Sequence, residues 1–308
     1  MEEKKKIIVI CGPTASGKTA LGIKIANDIK GEIVSADSMQ IYKDMDIGTA
    51  KPTKEEQKMA KHYLIDFVSP DVRYSVADFK RDATEAIETI IKKNKTPIIV
   101  GGTGLYINSL IYNIDFNSEG NTDLEFRSEL EKRDIGELYN MAKKIDKDAI
   151  SKISPNDRKR IMRIIEIYHS TGKTKTQLEK ESLKETKYDY RIFVLNWDRK
   201  KLYERINLRV DLMIKNGLIE EVQNLLKKYN EFPTSFQGLG YKEVKEYLDG
   251  NLTKDEMIEK IKQESRRYAK RQITWFKRYK DAIWLDGENK NNEQIVLDEI
   301  SKDMPKDK

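Results

Sequence analysis

A glycine-rich turn between a short apolar run and a helical pattern constrains this chain more than any other feature. It reads Gly-Pro-Thr-Ala-Ser-Gly-Lys-Thr and follows the apolar run Ile7 to Cys11. The form G-x-x-x-x-G-K-[ST] lets backbone N–H groups surround a diphosphate, and the helix N-terminus adds partial positive charge. We expect Lys18 to bind the terminal phosphate oxygens and the Thr19 hydroxyl to hold Mg²⁺. The turn therefore predicts a ligand that carries a diphosphate, and it leaves open whether that ligand is a nucleotide. The predicted diphosphate-binding residues are Gly12, Pro13, Thr14, Ala15, Ser16, Gly17, Lys18 and Thr19.

Strand and helix patterns alternate around this turn, which predicts an α/β fold of the P-loop NTPase type, a parallel sheet flanked by helices. In a sheet of this kind, ligands bind at the carboxyl ends of the strands. We therefore expect the glycine-rich turn, the segment Ala36–Gln40 and the segment Gly101–Gly104 to converge. Strands are predicted at 7–11, 32–35 and 97–100, and helices at 19–29, 76–92 and 105–111.

The character of the sequence changes between 116 and 190, where helical signals dominate. We predict a small all-helical insertion there, within a catalytic core formed by 1–115 and 191–308. Ser154 and Pro155 are predicted to cap and begin one helix of the insertion. Its apolar face is predicted to hold Ile161, Ile164, Ile165 and Tyr168, with Lys159 and Arg163 opposite.

After the insertion the parent sheet is predicted to resume, followed mostly by helices. An edge strand is expected at 283–285, and the polar residues after Asp286 are expected to fray. The remaining predicted elements are a strand at 191–197, helices at 202–215 and 218–229, a helix after the turn at 238–241, and a long helix from 254 to about 279.

Composition excludes several classes of protein. Charged residues make up 36% of the 308 residues, mean hydropathy is −0.72, and no apolar run approaches membrane-spanning length. The N-terminus leads directly into the first strand, so we expect no signal peptide and a cytoplasmic location. One cysteine and two histidines are too few for a cysteine-rich or histidine-based metal centre, and Cys11 is expected to pack in the core. No exposed apolar heptad stands out, so a monomer without an obligate protein partner is expected.

Positive charge is concentrated in two segments, although the net charge is only +6. Residues 254–280 contain ten Lys and Arg against four Asp and Glu, and residues 152–175 contain seven against two. Such clusters favour a polyanionic partner longer than a single nucleotide.

The expected metal-polarising acid of a nucleoside triphosphatase is missing, because Ile98–Val100 runs into Gly101 instead of Asp or Glu. Asp37, after the second strand, lies where it can take a proton from an acceptor. A small-molecule or nucleotide kinase fits these residues, and so does a transferase whose donor leaves as diphosphate. A non-catalytic P-loop RNA-binding protein also stays open at this point.

Several motifs, taken together and in this order, resemble the bacterial tRNA dimethylallyltransferases. They are Gly12–Thr19, Asp37–Tyr42, Asp46–Pro52, Gly101–Tyr106 and Lys270–Phe276. The resemblance implies transfer of a dimethylallyl group from dimethylallyl diphosphate to N6 of the adenosine just 3′ of the tRNA anticodon, with Mg²⁺ as cofactor.

The resemblance also implies roles for individual residues. Lys18 would neutralise the leaving diphosphate, Asp37 would accept the proton of the amine, and Thr103 would help to position donor and acceptor. Arg209 would reach the diphosphate, although Arg205 lies one turn away on the same helical face and could serve instead. Contacts to the tRNA anticodon stem-loop are predicted for Asp37, Ser38, Met39, Gln40, Thr103, Arg127, Lys159, Arg160, Ile161, Met162, Arg163, Lys270 and Arg271.

Overall fold

Residues 4–114, 116, 123–182 and 185–302 are described by the computed structural model. The chain divides into two units, one formed by residues 1–107 with 187–308 and the other by residues 108–186. The glycine-rich turn and the long basic segment 254–280 belong to the first unit. The second basic segment, 152–175, belongs to the second.

A six-stranded sheet organises the first unit, in the order β3-β2-β4-β1-β5-β6 with every pairing parallel. The two central strands are apolar and buried, β4 throughout and β1 from Ile7 onward, because helices cover both faces of the sheet. The predicted parallel α/β fold is confirmed, and β3 is an additional strand that the sequence did not indicate. The strands are β1 Lys5–Cys11, β2 Glu32–Ser35, β3 His62–Tyr63, β4 Pro97–Gly101, β5 Tyr188–Asn196 and β6 Ile283–Asp286.

The helices of the first unit follow the predicted pattern with small changes at their ends, together with two additional helices, the short α2 and the C-terminal α14. In the part of the chain that the structure describes, no helix is both long enough and apolar enough to cross a membrane. The helices are α1 Lys18–Asp28, α2 Lys54–Met59, α3 Val76–Lys92, α4 Gly104–Ile111, whose last residues enter the second unit, α10 Arg199–Lys215, α11 Leu218–Lys228, α12 Tyr241–Leu248, α13 Lys254–Phe276 and α14 Asn292–Ser301.

The final helix, α14, corrects the prediction that the residues after Asp286 are frayed. Val296 and Ile300 are buried in the same apolar cluster as Ile23 and Ile25 of α1. Burial of about two aliphatic side chains stabilises this helix by a few kcal/mol, which offsets its polar composition. The predicted edge strand at 283–285 is confirmed as β6.

A second apolar cluster forms the side of the first unit that faces the cleft described below. It joins α11, α12 and α13 to the segment that follows β2, and Tyr241, Met257 and Ile261 are all buried in it. Because these helices pack on that segment, its position is fixed by residues about 200 positions later in the chain.

The second unit is helical in its described residues. Its core contains Ile161, Ile164 and Ile165, as predicted, but Tyr168 is 45% exposed and lies outside it. The predicted cap at Ser154 is wrong, because α8 begins at Arg158 and Asp157 accepts the capping hydrogen bond from the Arg160 N–H at 3.2 Å. The helices are α5 Leu124–Glu131, α6 Ile135–Ile145, α7 Lys147–Ile150, α8 Arg158–Thr171 and α9 Lys175–Ser182.

Candidate active site

The glycine-rich turn lies between β1 and α1, at the carboxyl edge of the sheet. Gly17 has a φ of 94°, in the left-handed region, and is the N-cap of α1. Gly12 has a φ of 147°, and a Cβ there would lie 2.4 Å from the Leu195 carbonyl oxygen, so glycine is required. The hydroxyl of Ser16 is buried without a hydrogen-bond partner in the described structure. A turn of this form, with an unsatisfied buried hydroxyl, is suited to phosphate oxygens.

Three side chains from later in the chain hold this turn in place. The Trp197 Nε1–H donates to the Ser16 carbonyl at 2.9 Å, and the Arg205 Nε–H donates to the Ala15 carbonyl at 2.8 Å. The backbone N–H of Thr14 donates to Gln272 Oε1 at 2.8 Å. The turn is therefore preorganised by hydrogen bonds that a ligand does not have to provide.

Lys18 and Arg209 give the cleft its positive charge. Burial, together with the neighbouring Arg209 and against the opposing effect of Asp37, lowers the pKa of Lys18 to about 8. Burial also lowers the pKa of Arg209, whose Nε is buried without a hydrogen-bond partner in the described structure. Two cations with little solvent between them are destabilised by each other, and an anionic ligand relieves this repulsion.

Arg205 and Arg209, which the sequence could not separate, have different surroundings. Arg209 lines the cleft, whereas Arg205 is exposed, and its guanidinium lies 4.1 Å from the ring centroid of Trp197. Arg209 is therefore the arginine that lines the cleft, and Arg205 supports the turn from outside.

The segment after β2 and the segment after β4 meet beside the turn, as expected for neighbouring parallel strands. Asp37 Oδ1 accepts hydrogen bonds from the N–H groups of Met39 at 2.9 Å and Gln40 at 3.4 Å. The Ser38 N–H donates to Thr103 Oγ1 at 3.0 Å. These bonds leave the second carboxylate oxygen of Asp37 available to a ligand and fix Thr103 next to it.

The sequence analysis predicted that the Gln40 amide contacts a base, but in the structure this amide binds the protein itself. Its Nε2 donates to the carbonyls of Thr49 at 3.3 Å and Ala50 at 3.2 Å, and its Oε1 accepts from Ser35 Oγ at 3.4 Å. Because both ends of the amide are engaged with the protein, Gln40 supports the wall of the cleft in this structure.

One face of α13 closes the cleft with residues to which the sequence analysis gave no role. Gln272 bridges two loops, since its Nε2 donates to the Gly102 carbonyl at 2.9 Å while its Oε1 accepts from Thr14. Tyr268, one turn earlier, also lines the cleft, and burial raises its pKa to about 12. The sequence held an indication of this uncharged face, because Tyr268 and Gln272 are four residues apart and therefore lie on the same side of a helix that is otherwise rich in charge.

The two basic residues of α13 that are predicted to contact tRNA, Lys270 and Arg271, are both exposed. Arg271 lies at the rim of the cleft, with its guanidinium 5.7 Å from the ring centroid of Tyr268, and Lys270 is exposed beside it.

Together these elements enclose a cavity of about 330 Å³. Its polar lining includes Thr14, Lys18, Thr19, Asp37 and Arg209. The same cavity has an apolar lining, which suits a ligand with a charged part and a hydrocarbon part. The apolar lining includes Ile65, Ile206, Val210, Met213, Leu239, Tyr241 and Ile261.

Thr19 lines this cavity, and its hydroxyl is a hard oxygen ligand of a kind that Mg²⁺ accepts. Among the residues that the structure describes, no group of three or more His, Cys, Asp or Glu side chains could hold a metal ion. The residues present therefore fit an ion that takes most of its ligands from phosphate and water.

In the second unit, Glu166 organises two of the arginines predicted to bind tRNA. Its buried carboxylate lies 3.0 Å from Arg127 Nη1 and 3.7 Å from Arg163 Nη1. Lys159 and Arg160 are exposed at the start of α8, where Arg160 Nε lies 3.4 Å from an Asp157 carboxylate oxygen. The four basic residues therefore belong to one helical unit, and three of them lie within the basic segment 152–175.

Ile161 and Met162 depart from the prediction that they contact tRNA. Their side chains are 0% and 2% exposed and pack in the core of the second unit. They follow Arg160 directly on α8, and consecutive residues of a helix point to different sides, so neighbours in sequence can lie on the basic face and on the apolar face.

A parallel sheet with a glycine-rich turn after its first strand, and a cleft at its carboxyl edge, places this chain among the α/β proteins of P-loop type. Residues 40–279 match the family model described as IPP transferase. The chain belongs to this family.

Curated relatives are similar in sequence to this chain over almost its whole length. It is 49% identical to a tRNA dimethylallyltransferase of Clostridioides difficile over 302 residues, covering 97% of each chain. It is 51% identical to a tRNA dimethylallyltransferase of Thermoanaerobacter sp. over 306 residues, covering 96% of each.

Solved structures give the same result for the fold. The tRNA isopentenylpyrophosphate transferase of Bacillus halodurans superimposes with a TM-score of 0.73 at 38% identity, covering 97% of this chain and 96% of that one. A eukaryotic dimethylallyltransferase, solved in a study of its action on tRNA, superimposes with a TM-score of 0.84 at 33% identity, covering 99% of this chain and 81% of that one.

Proposed function

We propose that this protein transfers a dimethylallyl group from dimethylallyl diphosphate to N6 of the tRNA adenosine directly 3′ of the anticodon (position 37), releasing diphosphate. The observation that carries the proposal is the cavity in which Lys18, Arg209 and Asp37 share one space with an apolar lining. The names of the relatives, about half identical over nearly the full chain, support the same reaction.

Catalysis of this reaction depends first on the leaving group. The allylic C–O bond breaks with carbocation character, and its electron pair stays on the diphosphate. Lys18, Arg209 and the N–H groups of the glycine-rich turn stabilise that developing charge, and they do so strongly because they are partly desolvated. Mg²⁺, held by Thr19 and phosphate oxygens, would supply further electrostatic stabilisation of the leaving diphosphate.

Asp37 acts on the other reactant. The exocyclic amine of adenine is a weak nucleophile, because its lone pair is delocalised into the ring. As N6 forms the new C–N bond it loses a proton, and Asp37 is the carboxylate available in the cavity to accept it. Hydrogen bonds from the Met39 and Gln40 N–H groups hold the carboxylate in a fixed orientation, while Thr103 helps to position donor and acceptor.

The target base has to leave its stack before N6 can enter the cavity, which costs a few kcal/mol. Contacts between basic side chains and tRNA phosphates offset this cost. The candidates are exposed or half-exposed in the structure: Arg127, Lys159, Arg160 and Arg163 in the second unit, and Lys270 and Arg271 in the first. Ser38 and Met39, next to Asp37 in the cavity lining, are candidates to contact the flipped base.

The decisive experiment is incubation with dimethylallyl diphosphate, Mg²⁺ and an unmodified tRNA whose anticodon is followed by adenosine. Mass spectrometry of the nucleosides should show one dimethylallyl group added to that adenosine. If no adduct forms while the same preparation transfers phosphate from ATP to a small acceptor, the proposal is wrong and the protein is a kinase.

Asp37→Asn is the matched test of the mechanism. We expect transfer to fall by at least about a hundredfold, on the scale of a lost general base, while tRNA affinity stays close to that of the wild type. A protein that only binds RNA would have no transfer activity to lose.

A further inference from the structure

The segment Asp46–Lys51 forms a turn that none of the roles proposed above explains, and we refer to it as the 46–51 turn. Gly48, Thr49 and Ala50 line the same cavity as Lys18 and Arg209. The turn is closed internally, since the N–H of Ala50 donates to the Ile47 carbonyl at 3.0 Å and that of Lys51 to the Asp46 carbonyl at 3.0 Å. It is therefore a compact piece of backbone that forms one wall of the cavity.

Glu221 of α11 binds the open end of this turn. Its Oε2 accepts the N–H groups of Asp46 at 2.9 Å and Ile47 at 2.7 Å, and its Oε1 accepts the N–H of Gly48 at 3.1 Å. Three consecutive N–H groups that converge on one carboxylate form an anion-binding arrangement. Hydrogen bonds to a charged acceptor are the stronger kind, so the turn is held more firmly than by ordinary backbone contacts.

The same carboxylate also fixes an aromatic side chain of the cavity. Tyr241 lines the cavity, and its hydroxyl donates to Glu221 Oε1 at 2.7 Å. Burial raises the pKa of this hydroxyl well above its usual value, and the charge of Glu221 adds to the effect, so the tyrosine remains a donor. Its ring packs so closely on the turn that a Cβ at Gly48 would lie 2.6 Å from it.

The opposite side of the turn is held by Gln40 and Lys51. Gln40 donates to the carbonyls of Thr49 and Ala50, as described above. The buried ammonium of Lys51 donates to the Tyr42 carbonyl at 2.8 Å and lies 2.6 Å from an Asp46 carboxylate oxygen. Because the turn is anchored on both sides, removing the Glu221 anchor frees one side of the wall while the other stays in place.

We infer that Glu221 is a positioning residue for the donor: it holds the 46–51 turn and the Tyr241 ring as one wall of the cavity that Lys18 and Arg209 share. This inference rests on the proposed function. Glu221 acts through the turn and the ring, and its effect is expected on donor binding and not on the grip on tRNA.

Glu221→Gln tests the inference, because it keeps the shape of the side chain but turns one acceptor into a donor that faces N–H groups. We expect its dissociation constant for dimethylallyl diphosphate, measured by calorimetry without tRNA, to rise about tenfold, the equivalent of one charge-assisted hydrogen bond. The dissociation constant for tRNA should change less than about twofold, a difference within the usual range for a change that touches no contact.

Glu220→Gln is the matched control, because the neighbouring carboxylate on the same helix is exposed and outside the cavity lining. It makes the same change of charge and should leave both constants at wild-type values. Tyr241→Phe keeps the carboxylate with its three backbone bonds and removes one hydroxyl, so a smaller loss of donor affinity is expected.

Unchanged donor affinity in Glu221→Gln overturns the inference, and so does an equal loss of donor and tRNA affinity, which indicates a general structural role. If Glu221→Gln does not fold, Tyr241→Phe decides, and wild-type donor affinity in that variant overturns the inference. The wild-type protein separates the two proposals: without transfer to tRNA the proposed function fails, whereas transfer with unaffected variants refutes only the role of Glu221.

Discussion

Replacing Gln272 with leucine removes the bridge between the glycine-rich turn and the loop after β4. Leucine has nearly the same volume, so the change deletes the two hydrogen bonds at 2.8 and 2.9 Å without leaving a large cavity. Each polar group left without its partner lowers the free energy of unfolding by about 1 kcal/mol where water takes the place of the lost partner. Where no water can enter, the loss is up to about 3 kcal/mol. Thr14 and Gly102 both line the cleft, where water has access. We therefore expect the free energy of unfolding to fall by about 2 to 3 kcal/mol in Gln272→Leu.

Urea unfolding followed by circular dichroism measures this change, and calorimetry with dimethylallyl diphosphate measures its effect on the site. Donor affinity should fall as well, because Thr14 belongs to the turn proposed to hold the diphosphate. Gln263→Leu is the control, since Gln263 is exposed on the same helix. A free energy of unfolding for Gln272→Leu within about 0.5 kcal/mol of the control would refute the reasoning, because that is the range of neutral surface changes.

Three further predictions concern charge and packing. Because the pKa of Lys18 is lowered from 10.5 to about 8, donor affinity should fall by up to about tenfold per pH unit above pH 8, and calorimetry at pH 7 to 9.5 that shows constant affinity contradicts this expectation. The unfolded chain binds more protons than the folded one in this range, so the contribution of Lys18 to the stability of the unliganded protein should rise between pH 8 and 10.5, which urea unfolding at these pH values measures. Arg209→Gln should weaken donor binding much more than Arg205→Gln, since Arg209 lines the cavity and Arg205 does not, and equal effects in a binding titration would count against this assignment. Val296→Ala should lower the free energy of unfolding by about 2 kcal/mol because the side chain is fully buried, and an unchanged urea midpoint would mean that α14 does not pack on α1.

The sequence predicted the part of the fold that depends on local pattern. The strands that became β1, β2 and β4 and the turn at Gly12–Thr19 are each encoded by consecutive residues, so reading them required no knowledge of distant contacts. Strand β3 has two residues, which is too short for a periodic signal. Helix α14 was missed because the polar residues around Val296 hide the spacing of its apolar ones.

Within the site, the sequence located residues that belong to a continuous motif, but it could not locate contacts between segments far apart in the chain. Lys18 and Asp37 line the cleft, as their motifs indicate, and Thr103 lies beside it, where its hydroxyl oxygen accepts a hydrogen bond from the Ser38 N–H. The role of Gln40 depends on the carbonyls of Thr49 and Ala50, which approach it only after the chain has folded. An amide side chain can bind a base or a backbone equally well, and no spacing in the sequence distinguishes the two.

The bond between Thr14 and Gln272 joins residues 258 positions apart. A ribosome adding about 5 to 20 residues per second needs on the order of 10 to 50 seconds to synthesise the interval. Strand β5, which pairs with β1 at the centre of the sheet, also emerges only after the whole second unit. A nascent chain therefore carries the glycine-rich sequence early but lacks the support that shapes it until translation is almost finished. If the turn binds a diphosphate as proposed, we expect that affinity to arise at the end of synthesis and not at its beginning.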